Sequence, residues 1–160
     1  MTRTGIGWDS HRLEAGRPLI LGGVTVEHDR GLAGHSDADV LTHAVIDALL
    51  GAAGLGDIGG HFPDTDPAFA GADSLELLRE AVRRAAEAGF APTYADTTLV
   101  LERPKLGGNR EAIAEKLSAA LGAPVNVKAT TGEGIGFVGR EEGVAALAVV
   151  TVEPVAAPPS

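Results

Sequence analysis

The sequence contains no cysteine and no long apolar run, and both absences narrow what the protein can be. Without cysteine it forms no disulfide bond and offers no thiolate, so a transition-metal site must use histidine and carboxylate ligands. No apolar stretch approaches the roughly 20 residues of a membrane-spanning helix. The N-terminus also lacks the apolar segment of a secretory signal and any transit-peptide-like extension. We expect a cytoplasmic prokaryotic protein, with a mature organellar protein as the alternative.

Basic residues are few as well, since 13 Lys and Arg stand against 22 Asp and Glu, for a net charge of −9. A nucleic-acid backbone requires clustered positive charge, so we predict no nucleic-acid partner, and the lack of apolar runs predicts no membrane partner. A small phosphorylated ligand is compatible with this charge if bound cations reverse the local field. The length of 160 residues is typical of one domain with a substantial core.

Strand and helix patterns alternate along residues 1–153, which we assign to a single domain of the α/β class (α+β type), followed by a flexible tail over residues 154–160. The patterns predict strands over residues 2–9, 18–21, 24–27, 93–102, 125–131 and 143–152, and helices over 36–53 (with Ser36 as N-cap), 73–88 and 109–121. We expect a mixed sheet with helices on one face. The apolar run 145–152 predicts that the other face is buried in an oligomer.

Two imidazoles and a carboxylate form the candidate metal site. Asp9 and His11 end the first strand two residues apart, so in a regular strand both side chains share one face. His43 lies in the following helix and approaches from another direction. Such an N/N/O set suits catalytic zinc, because the fourth tetrahedral position stays free for a substrate oxygen. Structural histidines are the alternative, since spacing alone does not decide between the two.

Residues near this set are candidates for supporting roles. Asp39 and Asp47 lie one turn on either side of His43, where either can accept its free ring N–H; otherwise both are solvated helix residues. His35 and Ser36 precede a helix N-terminus, whose free N–H groups favour a phosphate. His35 is a candidate donor to a phosphoryl oxygen. Ser36 is either a ligand contact or only a helix cap.

Three further segments are candidates for phosphate or substrate contacts. The turn 130–136 (TTGEGIG) combines two hydroxyls, glycines and a carboxylate, which suits phosphate oxygens and a hard cation such as Mg²⁺. It matches neither the Walker nor the Rossmann pattern, so a plain turn is the alternative. Arg103 and Lys105 close a strand, either as contacts or as a solvated edge. The Gly-, Asp- and Pro-rich loop 54–72 is longer than a simple connection requires.

Taken together, these segments resemble the 2-C-methyl-D-erythritol 2,4-cyclodiphosphate synthases, the ring-closing enzymes of the non-mevalonate isoprenoid pathway. The matching motifs, which span nearly the whole of residues 2–153, are GWDSHRL (7–13), GHSDADV (34–40), GDIG (56–59), FPDTDP (62–67), NVKATT (126–131) and GR (139–140). The resemblance implies a metal-dependent phosphorus–oxygen lyase. It also implies a homotrimer with active sites at the subunit interfaces, which would account for a second apolar sheet face.

The resemblance further implies roles for individual residues. Asp9, His11 and His43 would bind zinc, and Glu133 would hold Mg²⁺ or Mn²⁺. His35 and Thr131 would stabilise the transition state. The implied substrate contacts are Asp9, Ser10, His11, His35, Ser36, Asp57, Ile58, Gly59, Phe62, Pro63, Asp64, Thr65, Asp66, Leu101, Glu102, Arg103, Pro104, Lys105, Leu106, Gly107, Thr130, Thr131, Gly132, Glu133, Phe137 and Arg140. Of these, residues 57–66 would hold the ribose and the methylerythritol. Residues 101–107 and 130–133 would form a cytidine-diphosphate pocket supplied by the neighbouring subunit.

The implied reaction converts 4-diphosphocytidyl-2-C-methyl-D-erythritol 2-phosphate to the 2,4-cyclodiphosphate with release of CMP. The 2-phosphate of this CDP-linked substrate attacks the β-phosphate within the same molecule. A phosphate monoester with a second pKa of about 6 is largely dianionic at neutral pH, so the reaction needs no general base. Two other interpretations fit the residues: a zinc-dependent phosphohydrolase acting on a nucleotide diphosphate ester, and a non-catalytic isoprenoid- or nucleotide-binding trimer.

Overall fold

The protein is described from a computed structural model that covers residues 1–156. The elements in chain order are β1 (Arg3–Ala15), β2 (Leu19–Leu21), β3 (Val24–Val26), β4 (Arg30–Leu32), α1 (Val40–Ala52), α2 (Ile58–His61), a 3₁₀ turn (Pro67–Phe69), α3 (Ser74–Glu87), β5 (Phe90–Val100), α4 (Asn109–Leu121), β6 (Val125–Thr130), α5 (Gly136–Gly139) and β7 (Gly143–Pro154). Within the described part of the chain, no helix has both the length and the apolar character that a bilayer span requires.

A five-stranded mixed sheet, with strand order β4-β1-β7-β5-β6, forms the frame of the molecule. Strands β5 and β6 are parallel, and the other neighbouring pairs are antiparallel. Helix α1 packs on β1, β7 and β5, while α3 and α4 extend the same layer towards β6. The short β2–β3 hairpin is separate from this sheet. The predicted mixed sheet with packed helices is confirmed.

Glycines on the inner face of β1 allow α1 to lie unusually close to the strand. A Cβ atom placed on Gly7 would be 2.0 Å from the Ala44 carbonyl oxygen, and one on Gly5 would be 2.0 Å from that of Ala48. These distances are far below van der Waals contact. Because side chains alternate along a strand, Asp9 follows Gly5 and Gly7 on this same face. The close approach therefore brings His43, which immediately precedes Ala44 in α1, to Asp9.

The outer face of the sheet carries exposed apolar side chains. Ile6 is 70% exposed and Trp8 is 54% exposed. Ile6 is paired in register with Val149 and Trp8 with Leu147, so these side chains form one continuous patch across β1 and β7. Contiguous apolar patches of this kind mark association surfaces. The second apolar face expected from the sequence is present, and its burial in a homotrimer stays a prediction.

The boundaries of several elements differ from those predicted. Strand β1 continues to Ala15, so Asp9 and His11 lie inside the strand rather than at its end. The prediction of Ser36 as N-cap is wrong, because Ala38 has a left-handed φ of +58° and helix α1 begins only at Val40. The remaining unpredicted elements, β4, α2, the 3₁₀ turn and α5, have three or four residues each and are too short to show a period.

The C-terminal tail was expected to begin at residue 154. Pro154 is the last residue of β7, and the Val155 amide donates a 2.8 Å hydrogen bond to the Gly89 carbonyl. Residues 157–160, which make up the rest of the predicted tail, lie outside the described residues. The single-domain assignment for residues 1–153 stays a prediction.

The strand–helix approach predicts the effect of adding one methyl group. Gly7→Ala should lower the free energy of unfolding by about 1–3 kcal/mol and also weaken metal binding, because α1 must move away and carry His43 with it. Urea unfolding and a zinc titration measure the two effects. Gly51→Ala is the matched control, since a Cβ there meets no atom within 4 Å. Equal behaviour of the two variants would contradict the argument.

Candidate active site

Asp9, His11 and His43 place one ligand atom each around a common point. The Asp9 Oδ2 atom lies 2.8 Å from His11 Nε2 and 3.0 Å from His43 Nδ1, and the two nitrogens are 3.2 Å apart. Ligands bound tetrahedrally at about 2.0–2.1 Å from zinc are separated by about 3.4 Å. The three atoms therefore have nearly the mutual spacing of zinc ligands, and they form the metal-binding triad that the sequence predicted.

The hydrogen bonds of each imidazole fix which nitrogen faces that point with a lone pair. His11 Nδ1 lies 2.9 Å from the Ala33 carbonyl oxygen, which only accepts, so His11 Nε2 is unprotonated in the neutral ring. His43 Nε2 lies 2.8 Å from Ser74 Oγ, and the Ser74 hydroxyl in turn donates to Asp37. His43 therefore donates from Nε2 and keeps its lone pair on Nδ1. Two lone pairs and a carboxylate repel one another unless a cation lies among them.

The pKa values of this cluster show the same competition for a positive charge. Burial raises the pKa of Asp9, but hydrogen bonds with His11 and His43 outweigh burial and lower that pKa to about 2. Burial lowers the pKa of His11, yet the hydrogen bond to Asp9 raises it above its usual value. A proton on His11 is therefore stabilised where a metal ion would also be stabilised, and the two compete for one electron pair.

Neither carboxylate predicted to support His43 contacts its imidazole ring. Asp39 is fully buried and caps α1, accepting from the amides of Thr42, Gly22 and Gly23 at 3.1, 2.9 and 2.7 Å. Burial raises the pKa of Asp39, against the effect of these donors. Asp47 accepts from the Ile58 amide at 3.1 Å. The prediction that either residue orients His43 is wrong, because both are needed to hold neighbouring loops.

Ser74 and Asp37 take that supporting role, and neither was predicted from the sequence. Ser74 lies 31 residues from His43, and Asp37 lies 37 residues from Ser74, so no local spacing connects them. The only signal was the position of Ser74 at the helix start that ends the long loop. Ser36 Oγ is also 3.1 Å from His43 Nε2, so this hydroxyl contacts the metal-binding histidine instead of capping the helix.

A cavity of about 450 Å³ opens at the triad, and its walls contain many of the predicted substrate contacts. The predicted residues that line it are Asp9, His11, His35, Ser36, His43, Ile58, Gly59, Phe62, Pro63 and Asp64. Gly34, Phe69 and Leu77 also line it and were not predicted. Polar groups at one end and apolar walls elsewhere are typical of a site for a small organic ligand.

Some predicted contacts instead shape the loop around the cavity. Asp57 caps α2 by accepting from the Gly60 amide at 2.9 Å, and Asp66 caps the 3₁₀ turn through the Ala68 amide. Neither of these residues, nor Thr65, lines the cavity. His35 does line it, with Nε2 donating to the Asp66 carbonyl at 2.8 Å. A contact between His35 and a phosphoryl oxygen would therefore use the Nδ1 atom.

The predicted nucleotide-binding segments meet each other at the ends of the parallel strands β5 and β6. The Leu101 amide donates to the Thr130 carbonyl at 2.9 Å, and the Gly132 amide donates to the Glu102 carboxylate. Glu133 has a left-handed φ of +54°, a strained conformation of the kind found at ligand sites. Within the described chain, residues 101–107 and 130–133 do not line the 450 Å³ cavity.

Ser10 and Phe137 border a second cavity of about 250 Å³, which His11 also lines. Arg140, predicted as a substrate contact, donates to Glu142 at 2.6 Å, and Glu142 is part of the same cavity wall. The candidate contacts thus fall into two groups in one chain. One group surrounds the triad, and the other lies at the glycine-rich turn and along the neighbouring surface.

Comparison with known proteins agrees with this geometry. The model of the YgbB family matches residues 2–153. The 2-C-methyl-D-erythritol 2,4-cyclodiphosphate synthase of Salinibacter ruber is 62% identical, covering 94% of this chain and 98% of that protein. The synthase of Symbiobacterium thermophilum is 60% identical over 92% of this chain and 96% of its own length.

Solved structures show the same fold. A 2-C-methyl-D-erythritol 2,4-cyclodiphosphate synthase in its CDP-bound form has a TM-score of 0.86 at 44% identity, covering 94% of this chain and all of the other. The bifunctional IspDF protein of Campylobacter jejuni has a TM-score of 0.92 at 43% identity, covering 96% of this chain. This chain spans only 42% of that longer protein.

The hydrogen-bond chain through Ser74 predicts an effect on metal affinity. Ser74→Ala removes the nearer of the two hydroxyls that face His43 Nε2 and the link to Asp37, so zinc affinity should fall about 10-fold or more while the fold persists. A competition titration against a chromophoric chelator measures the affinity. Ser118→Ala is the control, because Ser118 lies on α4 and its hydroxyl accepts from the Val125 amide at the start of β6. An unchanged affinity in Ser74→Ala would show that the serine does not orient His43.

Zinc affinity should fall as the pH is lowered through the raised pKa of His11, because protonation removes the Nε2 lone pair. Asp9, with a pKa of about 2, stays ionised over this range and contributes no pH dependence. Zinc isotherms at successive pH values in non-coordinating buffers measure the effect. A flat affinity between about pH 5 and 8 would contradict the assignment of His11 as a ligand.

Proposed function

The chain belongs to the YgbB family, and from this membership we propose that it closes the ring of 4-diphosphocytidyl-2-C-methyl-D-erythritol 2-phosphate, forming the 2,4-cyclodiphosphate and releasing CMP. The observation that carries the proposal is the convergence of Asp9, His11 and His43 at the wall of a ligand-sized cavity. Relatives that are about 60% identical over nearly the full chain are synthases of this product. Nothing favours the hydrolase alternative.

We assign zinc to the triad and Mg²⁺ or Mn²⁺ to Glu133. Two neutral imidazoles and one carboxylate, all oriented by second hydrogen bonds, make a donor set that fits zinc. Bound cations would polarise the β-phosphate and offset the charge of the diphosphate. The protein has a net charge of −9, so cations are needed for a polyanionic substrate to bind an acidic chain.

The residues of the chain itself fold the flexible substrate back and keep water away. The methylerythritol would lie against a largely apolar wall of the cavity, formed by Ile58, Gly59, Phe62 and Pro63. Holding the 2-phosphate in line with the β-phosphate can lower the activation barrier of an intramolecular step by up to about 7–11 kcal/mol. A dianionic phosphate is already the nucleophile, so the site needs no base to activate it.

Donors around the phosphates complete the proposed site. His35 would face the phosphates with Nδ1, because its Nε2 is bonded to the Asp66 carbonyl of the loop. The Thr131 hydroxyl, which in the proposed trimer comes from the neighbouring subunit, would donate to the same phosphates; its Oγ1 accepts from the Glu133 amide at 3.1 Å. Hydrogen bonds that strengthen as charge moves onto phosphoryl oxygens stabilise the transition state.

Two observations support a homotrimer with sites at subunit interfaces. The patch of Ile6, Trp8, Leu147 and Val149 needs a covering surface, and a second copy of the sheet provides one of the same character. The segments proposed for cytidine diphosphate lie outside the triad cavity of their own chain, which fits a contribution from a neighbour. We also retain the cytoplasmic location expected from the sequence as part of the proposal.

Phosphorus NMR of the product tests the reaction directly. With the CDP-linked substrate, zinc and Mg²⁺, the protein should form a cyclic diphosphate and CMP, because the nucleophile belongs to the substrate. The zinc-deficient variant His11→Ala is the control, and it should keep the fold while losing turnover. A linear phosphate carrying solvent ¹⁸O would identify a hydrolase instead. Binding without turnover, with function unaffected in His43→Ala, would identify a binding protein.

A further inference from the structure

Arg84 of α3 lies behind residues 58–64, the wall segment, which forms one side of the cavity. Its guanidinium does not itself line the cavity. It contacts two consecutive residues of the wall segment, His61 at the end of α2 and Phe62 immediately after it. Phe62 lines the cavity, so Arg84 is one residue removed from the ligand space.

The contact with His61 restrains α2 from outside. His61 Nε2 lies 2.8 Å from the Leu55 carbonyl oxygen, which only accepts, so His61 carries its proton on Nε2. The free lone pair on Nδ1 then accepts from Arg84 Nη1 at 2.8 Å. The His61 ring is therefore held at both nitrogens, by Leu55 before the wall segment and by Arg84 of α3. Because α2 has only four residues, such outside contacts decide where it lies.

The contact with Phe62 restrains the aromatic part of the wall. The guanidinium carbon of Arg84 is 4.9 Å from the centre of the Phe62 ring, within the range of a cation–π interaction. Phe62 in turn meets the Phe69 ring edge-on, with centroids 5.5 Å apart and planes at 87°. Phe62 and Phe69 both line the cavity. Arg84, Phe62 and Phe69 therefore contact one another in a row, and these contacts restrain the apolar wall.

Arg84 is held by Glu80 and is less exposed than the other two arginines of α3. Glu80 accepts from Arg84 Nε at 3.0 Å, which leaves Nη1 directed at His61. The Arg84 side chain is 30% exposed, compared with 47% for Arg79 and 56% for Arg83. Among the described residues, the ion pairs of Arg79 and Arg83 are all with glutamates of the same helix. Arg84 alone of the three extends to the cavity wall.

We propose that Arg84 is a positioning residue that sets the affinity for the methylerythritol part of the substrate, acting through His61 and Phe62. The inference rests on the proposed function, since it concerns the same cavity. The residues that would contact the sugar-like part of the substrate are those of this wall: Ile58, Gly59, Phe62, Pro63 and Asp64. The cytosine and the diphosphate would instead be held by residues 101–107 and 130–133, so that only the ribose of the nucleotide would share this wall. Loss of Arg84 should therefore affect the two ends of the ligand differently.

The test compares Arg84→Met with Arg79→Met in the zinc- and Mg²⁺-loaded enzyme. Methionine keeps the apolar length of the side chain and removes the charge and the donors. In Arg84→Met the KM for the CDP-linked substrate should rise about tenfold with kcat within about twofold, because the wall residues remain and only their ordering before the substrate binds is lost. CDP affinity should change far less than the KM, because only the ribose of CDP would contact this wall, and zinc stoichiometry should stay at the wild-type value. Arg79→Met should match wild type in all four measurements.

Arg84→Lys provides a second comparison, which also serves if the methionine variant fails to fold. Lysine keeps the positive charge but lacks the planar fork, so its KM should lie between those of wild type and Arg84→Met, or above wild type if measured alone. A KM equal to that of Arg79→Met in either Arg84 variant would overturn the proposal. So would a parallel loss of CDP affinity, which would indicate general destabilisation. Absence of turnover in the wild-type enzyme would instead overturn the proposed function and this inference with it.

Discussion

The electrostatic repulsion among three electron-pair donors is the constraint on which the site depends. Asp9, His11 and His43 hold an oxygen and two nitrogens within 3.2 Å of one another, and the hydrogen bonds of both imidazoles direct lone pairs inward. Such an arrangement is stable only with a cation or proton at its centre. The fold must therefore hold the three side chains rigidly before the cation binds. The surrounding residues serve this purpose.

Rigidity comes from the backbone on one side and from a hydrogen-bond chain on the other. Gly5 and Gly7 allow α1 to approach β1 so closely that His43 reaches the strand ligands. Asp37 and Ser74 then fix the far nitrogen of His43, and Asp37 also accepts from the Ser74 amide at 3.0 Å. The same bonds connect the segment before α1 to the start of α3. Metal affinity and the closure of the long loop are thus coupled.

The cavity wall is also held in place by contacts from other elements, without a cluster of repelling donors. Segments without long secondary structure need outside contacts to keep one conformation, and this wall receives them from α1 through Asp47 and from α3 through Arg84. The wall is apolar where the organic part of a ligand would lie and polar where the triad begins. Bound cations would favour a phosphorylated molecule in an acidic chain with this division, which is consistent with the proposed reaction.

Local sequence determined the ligand types, the shared strand face of Asp9 and His11, and most of the sheet and helix order, because two-residue and 3.6-residue periods are properties of short segments. Motif order along the chain also indicated the family. Tertiary structure decided what lies far apart in sequence: Ser74 rather than Asp39 or Asp47 supports His43, and Ser36 contacts that histidine instead of capping α1. These contacts join residues from separate elements whose approach depends on packing, such as α1 against glycines of β1. No period within one segment can encode them.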